Sequence, residues 1–89
     1  MLTDKEKSEL KLRLKKIAGQ INGIDKMLDE GRYCVDVVQQ ILAARAALNR
    51  VSMIILESHA KSCVVTAIKE NRAEESIEEL MDVMKQFTK

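Results

Sequence analysis

Residues 34–70 read CVDVVQQILAARAALNRVSMIILESHAKSCVVTAIKE. The stretch contains no Gly and no Pro, and nothing in it compels a break. It predicts one long helix over roughly residues 33–69. At 100° per residue, Asp36, Gln39, Arg50 and Glu57 share one narrow sector with Ala43, and most of the remaining circumference is Val, Ile, Leu, Met and Ala. A helix this apolar all round must be packed on several sides. One neighbouring helix could not cover it, so the stretch also predicts an oligomer interface.

The flanks supply shorter helices. Thr3, with Glu6 three residues on, is a capping-box pair that opens a first helix. Leu10, Leu14, Ile17, Ile21, Ile24 and Leu28 then form an amphipathic stripe, which Gly31 closes as a C-cap. Asn71, with Glu74 three residues later, predicts the N-cap of a third helix carrying Ile77, Leu80, Met81, Met84 and Phe87. The expected architecture is all-α: three helices (medium, long, short) in a single domain over residues 1–89, with the long helix as the oligomerisation spine.

Eighty-nine residues bury a modest core, so association is a natural way to add burial. Hydrophobic residues make up 46% and charged residues 33%, which suits an ordered, soluble, helix-rich chain. The apolar stretches are expected to be too interrupted to span a bilayer. The N-terminus MLTDKEKSEL has no apolar export signal, so the expected compartment is the cytoplasm. There is no nucleophile with an acid–base partner and no phosphate loop, and the chain has one histidine; no enzymatic role is expected. Residues 1–23 carry a balance of +3 and residues 70–82 a balance of −5. Such asymmetry can localise an anionic partner at one surface, or it is two ordinary solvated helix faces.

Two cysteines and one histidine raise a chemical question. His59 and Cys63 are four apart and project from one face of the long helix, as two ligands of one ion require. Cys34 lies roughly 37 Å from His59 along that helix, so one protomer cannot close the site. Yet Cys34, His59 and Cys63 fall within about 40° of one another on the wheel. Val38, Ile41, Arg45, Leu48, Ser52 and Leu56 lie on the same stripe between them. Two such faces paired antiparallel, crossing near Leu48, bring Cys34 of one chain beside His59 and Cys63 of the other, with two equivalent sites per dimer. Two thiolates and an imidazole suit the soft ion Cu(I), which accepts three ligands, whereas Zn(II) normally takes a fourth. Tyr33 or the acidic third helix could hydrogen-bond the second imidazole nitrogen. On spacing alone, other readings stand beside this one. The cysteines can be buried hydrophobes, and the histidine can be a partner of the helix dipole.

The run RLKKIAGQINGIDKML, followed by YCVDVVQQILAARAAL and then by His59 and Cys63 in ESHAKSC, resembles the signature of the CsoR/RcnR family of bacterial metal- and aldehyde-responsive repressors. The resemblance covers nearly the whole chain. It implies an antiparallel three-helix protomer, a dimer through helices 1 and 2, usually assembled as a dimer of dimers, and a double-stranded operator DNA partner. Effector choice in the family follows the site. Copper sensors look like Cys34, His59 and Cys63; nickel and cobalt sensors add histidines; formaldehyde sensors lack the second cysteine; persulfide sensors lack the histidine. The resemblance therefore implies Cu(I) as effector and a supporting pair at Tyr33 and Glu79. It also implies DNA contacts at Arg13 and Arg50, with Lys16 on the same flank of helix 1. No helix-turn-helix is visible, so backbone contacts and shape readout are expected. The implied function is a Cu(I)-responsive repressor of copper resistance and efflux genes. A thiol or persulfide sensor on the same fold, or a copper-buffering protein with no DNA role, are the rival readings.

Overall fold

The computed structural model describes residues 2–87. It contains three helices: α1 at Asp4–Asp29, α2 at Cys34–Lys69 and α3 at Ala73–Phe87. No strand occurs among the described residues. The long stretch is one 36-residue helix, as its composition predicts.

The ends of α1 follow from its sequence. Thr3 is the N-cap: its hydroxyl accepts from the Glu6 amide at 3.1 Å, and its own amide donates to the Glu6 carboxylate at 3.0 Å. Two of the unpaired donors of the first turn are thereby satisfied. At the other end the Gly31 amide donates to the Leu28 carbonyl (3.2 Å) and the Arg32 amide to the Met27 carbonyl (3.0 Å). This is a Schellman closure. Gly31 takes φ +65°, a conformation that costs a residue with a Cβ far more.

The α2–α3 junction corrects one expectation. Asn71 does not open α3; it closes α2. Its φ is +59°, its amide donates to the Ile68 carbonyl (3.3 Å), and the Arg72 amide donates to the Ala67 carbonyl (2.6 Å). Asparagine tolerates the left-handed conformation, so it serves here as glycine does at residue 31. The first carbonyl of α3 to accept is that of Arg72, from the Ser76 amide at 3.1 Å.

The chain forms two compact units, Leu2–Ile54 and the segment from Ile55 onward, and α2 contributes to both. In the first, α1 and the N-terminal part of α2 form a helical hairpin. Its core is Leu10, Ile17 and Val51, with Leu2, Ala47 and Ile54 packed against it. The buried positions recur every seven residues on both helices, Leu10 and Ile17 on α1, Val37, Ala44 and Val51 on α2. A seven-residue spacing keeps such positions on one face of each helix. The other half of the predicted α1 stripe is open: Leu14 is 44% exposed, Ile21 51% and Leu28 63%. One neighbouring helix covers one row of a two-row stripe, so the second row stays unburied within the hairpin.

The second unit joins the end of α2 to α3. Leu80 is partly buried, while Ile77, Met81 and Met84 are exposed. The Phe87 side chain lies outside the described residues. The expectation that the apolar runs are too interrupted for a bilayer does not hold for α2. By length and composition alone it is apolar enough, with an 18-residue window of mean hydropathy 1.3. Between Val37 and Leu56 its only charges are Arg45 and Arg50, too few to break the run. The same composition suits a helix surrounded by protein.

Candidate metal centre

His59 and Cys63 occupy one face of the last third of α2. The Cys63 Sγ lies 3.5 Å from His59 Nδ1, so the i, i+4 spacing places thiol and imidazole side by side. His59 is exposed and Cys63 half-buried. The polar residues around them are turned back onto the helix. Ser62 Oγ donates to the Ser58 and His59 carbonyls (3.4 and 3.3 Å), and Thr66 Oγ1 donates to the Ser62 carbonyl (2.9 Å). This back-bonding satisfies the hydroxyls without loops, leaving thiol and imidazole as the projecting soft donors.

A cleft between this part of α2 and α3 holds the pair. Glu79 lines it, together with Arg72, Glu75 and Ser76. Nδ1 faces the thiol, which leaves Nε2 as the nitrogen for a carboxylate partner. Arg72 is the one cation of the cleft. Its guanidinium bonds Glu70, with Nε at 3.1 Å from Oε2. That hydrogen bond first, then the charges of Glu70 and Glu75, raise its pKa above the ordinary arginine value, so it stays cationic. Sequence reading missed Arg72, Glu75 and Ser76. For Glu75 and Ser76 the signal was present: 75, 76, 79 and 83 follow three- and four-residue steps and share one face of α3.

Cys34 and Tyr33 are not among the residues that line this cleft. Cys34 is the first residue of α2 and is exposed. Tyr33 precedes it; its carbonyl accepts from the Val37 amide (3.2 Å), and its side chain is 69% exposed. Among the described residues no group of three or more His, Cys, Asp or Glu side chains is placed to hold a metal ion within one protomer. His59 and Cys63 place one nitrogen and one sulfur side by side.

The basic residues Arg13, Lys16 and Arg50 lie on the first hairpin. Arg13 and Lys16 line a shallow groove with Glu9, Leu12, Gln20 and, from α2, Ala47. Arg50 is exposed beside the buried Val51.

A family model described as metal-sensitive transcriptional repressor matches residues 6–86. Over 87 residues the chain is 48% identical to the copper-sensing transcriptional repressor CsoR of Bacillus subtilis strain 168, covering 98% of this chain and 86% of that protein. It is 39% identical over 84 residues to CsoR of Mycobacterium tuberculosis strain H37Rv, covering 94% and 70%. Among solved structures, the copper-sensing repressor CsoR with Cu(I) from Geobacillus thermodenitrificans NG80-2 superposes with a TM-score of 0.88 at 48% identity. The match covers 100% of this chain and 93% of that one. The nickel-responsive transcriptional regulator InrS matches with a TM-score of 0.77 at 36% identity, over 90% of both chains.

Proposed function

Because this chain belongs to the family of metal-sensitive transcriptional repressors, we propose that it binds operator DNA in its metal-free form and lets go when Cu(I) is bound. It is a regulator and not an enzyme. The observation that carries the choice of effector is the 3.5 Å approach of Cys63 Sγ to His59 Nδ1 on an accessible helix face. Soft thiolate donors select Cu(I). The structural similarity to a nickel regulator does not point to nickel here, because His59 is the sole histidine and a nickel site wants further nitrogen or oxygen ligands.

Residues 1–89 act as one metal-sensing, DNA-binding domain. Cys34 completes the donor set from a second copy. Twenty-five residues of unbroken helix separate it from His59, roughly 37 Å, and a rigid helix cannot fold back on itself. Two protomers pair through α1 and α2. The open rows Leu14, Ile21, Leu28 and Val38, Ile41, Leu48 support that surface. Two such dimers make the tetramer that presents the basic residues to DNA. Arg13, Lys16 and Arg50 hold phosphates along the duplex. A DNA-binding regulator of this kind works in the cytoplasm, and the genes it controls serve copper efflux and resistance.

His59 also transmits the signal. His59, Cys63 and Cys34 of the second copy would hold the ion; the imidazole nitrogen left free would pair with Glu79 on α3, and Tyr33 would come beside the site with that Cys34. Such a pairing would tie the end of α2 to α3 in the metal-bound state alone. Allostery requires such a difference between two states. The test is a mobility-shift titration with operator DNA against Cu(I), Zn(II), Ni(II), formaldehyde and polysulfide in parallel. Release by Cu(I) alone is expected. Release by polysulfide that survives His59→Ala would replace the copper reading with a thiol sensor.

A further inference from the structure

We infer that Arg45 and Ser52 set the register in which two copies of α2 pair, and so decide whether Cys34 of one copy reaches His59 and Cys63 of the other. The inference rests on the antiparallel pairing proposed above. The row from Cys34 to Cys63 runs through Val38, Ile41, Arg45, Leu48, Ser52, Leu56 and His59. Between the ligand residues at its two ends it is aliphatic except at Arg45 and Ser52. Val38 (52%), Ile41 (47%) and Leu48 (42%) are open to a partner, and Arg45 and Ser52 are exposed. Among the described residues no ion pair or hydrogen bond engages the Arg45 side chain.

An aliphatic row offers many nearly equivalent pairings, because one branched side chain packs about as well as the next. Polar residues inside such a row are what specify register in paired helices. Their positions here are informative. Cys34 and Cys63 are equidistant from the point between Leu48 and Asn49. Val38 and His59 are equidistant from the same point, and so are Arg45 and Ser52. In the one register that assembles the ligands, each Arg45 guanidinium therefore faces a Ser52 hydroxyl, a donor opposite an acceptor.

The neighbouring registers lose that match. Sliding by one heptad moves Cys34 about 10 Å along its partner, far beyond the reach of a shared ligand sphere. In one direction the dyad falls on Arg45, two guanidiniums meet, and Cys34 faces Leu56. In the other the dyad falls on Ser52, Arg45 faces His59, and Cys34 faces Glu70. The first slip brings like charges together, and the second sets a cation against an imidazole. Arg45 is thus a positioning residue that excludes wrong pairings more than it adds affinity for the right one.

The experiment is thiol cross-linking of the metal-free protein with diamide, which is reduced as two thiols join. Peptide mass spectrometry maps the disulfide, and sedimentation measures dimerisation. Wild type should give an intersubunit Cys34–Cys63 disulfide. Arg45→Met, apolar and of similar length, should lower its yield roughly threefold, the share left if three heptad registers become equal, without weakening the dimer. Ser52→Ala should lower it in the same direction, and Arg45→Lys, which keeps the cation, should restore it. Wild-type yield in Arg45→Met would overturn the register role. So would a monomeric Arg45→Met, since Arg45 would then supply affinity. A wild-type dimer that never joins Cys34 to Cys63 would instead overturn the intersubunit site itself.

Discussion

At the scale of single residues, the proposed site divides labour between affinity and signal. Thiolates dominate Cu(I) affinity, while the imidazole has a second nitrogen with which to reach another element. His59→Ala should therefore lose more coupling than metal affinity. Glu79→Ala should weaken coupling with little change in Cu(I) affinity. Coupling energies of this kind run to about 1–3 kcal/mol, a measurable change in the ratio of metal-free to Cu(I)-bound operator affinity. A wild-type ratio in both variants would route the switch through the cysteines alone. The basic residues answer to salt. Arg13→Ala or Arg50→Ala should weaken operator binding and reduce the slope of log affinity against log salt by about 0.9 for each lost phosphate contact. Cu(I) affinity should survive both. An unchanged slope in both variants would move the DNA surface elsewhere. His59, Cys63 and Glu79 were legible as a group because helix periodicity alone puts 59 and 63 together, and the resemblance supplied 79. Arg72 was not, because it sits outside any regular element and its place in the cleft depends on how α2 ends.

At the scale of elements, helix ends carry the local information. Asn71 was expected to start the third helix, yet asparagine favours both N-caps and left-handed C-terminal positions. The φ of +59° settles it as the stop. Asn71→Ala should lower stability by about 1 kcal/mol, the cost of forcing a Cβ residue into that conformation, whereas Asn71→Gly should be close to neutral. Denaturant unfolding at fixed protein concentration checks this; the concentration must be held because an oligomer's apparent stability depends on it. Equal losses in the two variants would mean that the Asn71 side chain, not its backbone, closes the helix. Thr3→Ala should cost about 1 kcal/mol through loss of the capping box. Here sequence and structure agree, because Thr3 and Glu6 bond to each other within one turn and need no tertiary context.

At the scale of the whole molecule, the proposed site is completed only by a second copy of the chain. Protomers carrying Cys34→Ala, mixed with protomers carrying His59→Ala and Cys63→Ala, should form dimers with one intact and one stripped centre. High-affinity Cu(I) binding should therefore return on mixing. If heterodimers form and no such binding returns, Cys34 does not act across chains.

The long helix, its apolar circumference and the one-face alignment of Cys34, His59 and Cys63 were fixed by sequence alone, since each depends only on residue spacing along a rigid rod. Which row of α1 is buried was not. Leu10, Leu14, Ile17 and Ile21 are chemically alike, and only packing against Val51 and its neighbours buries Leu10 and Ile17 while leaving Leu14 and Ile21 open. Likewise the choice of α3 face that lines the cleft was made by the turn at residues 70–72. The rotation that turn imposes is a tertiary outcome, and periodicity within α3 fixes which residues share a face without fixing which face turns inward.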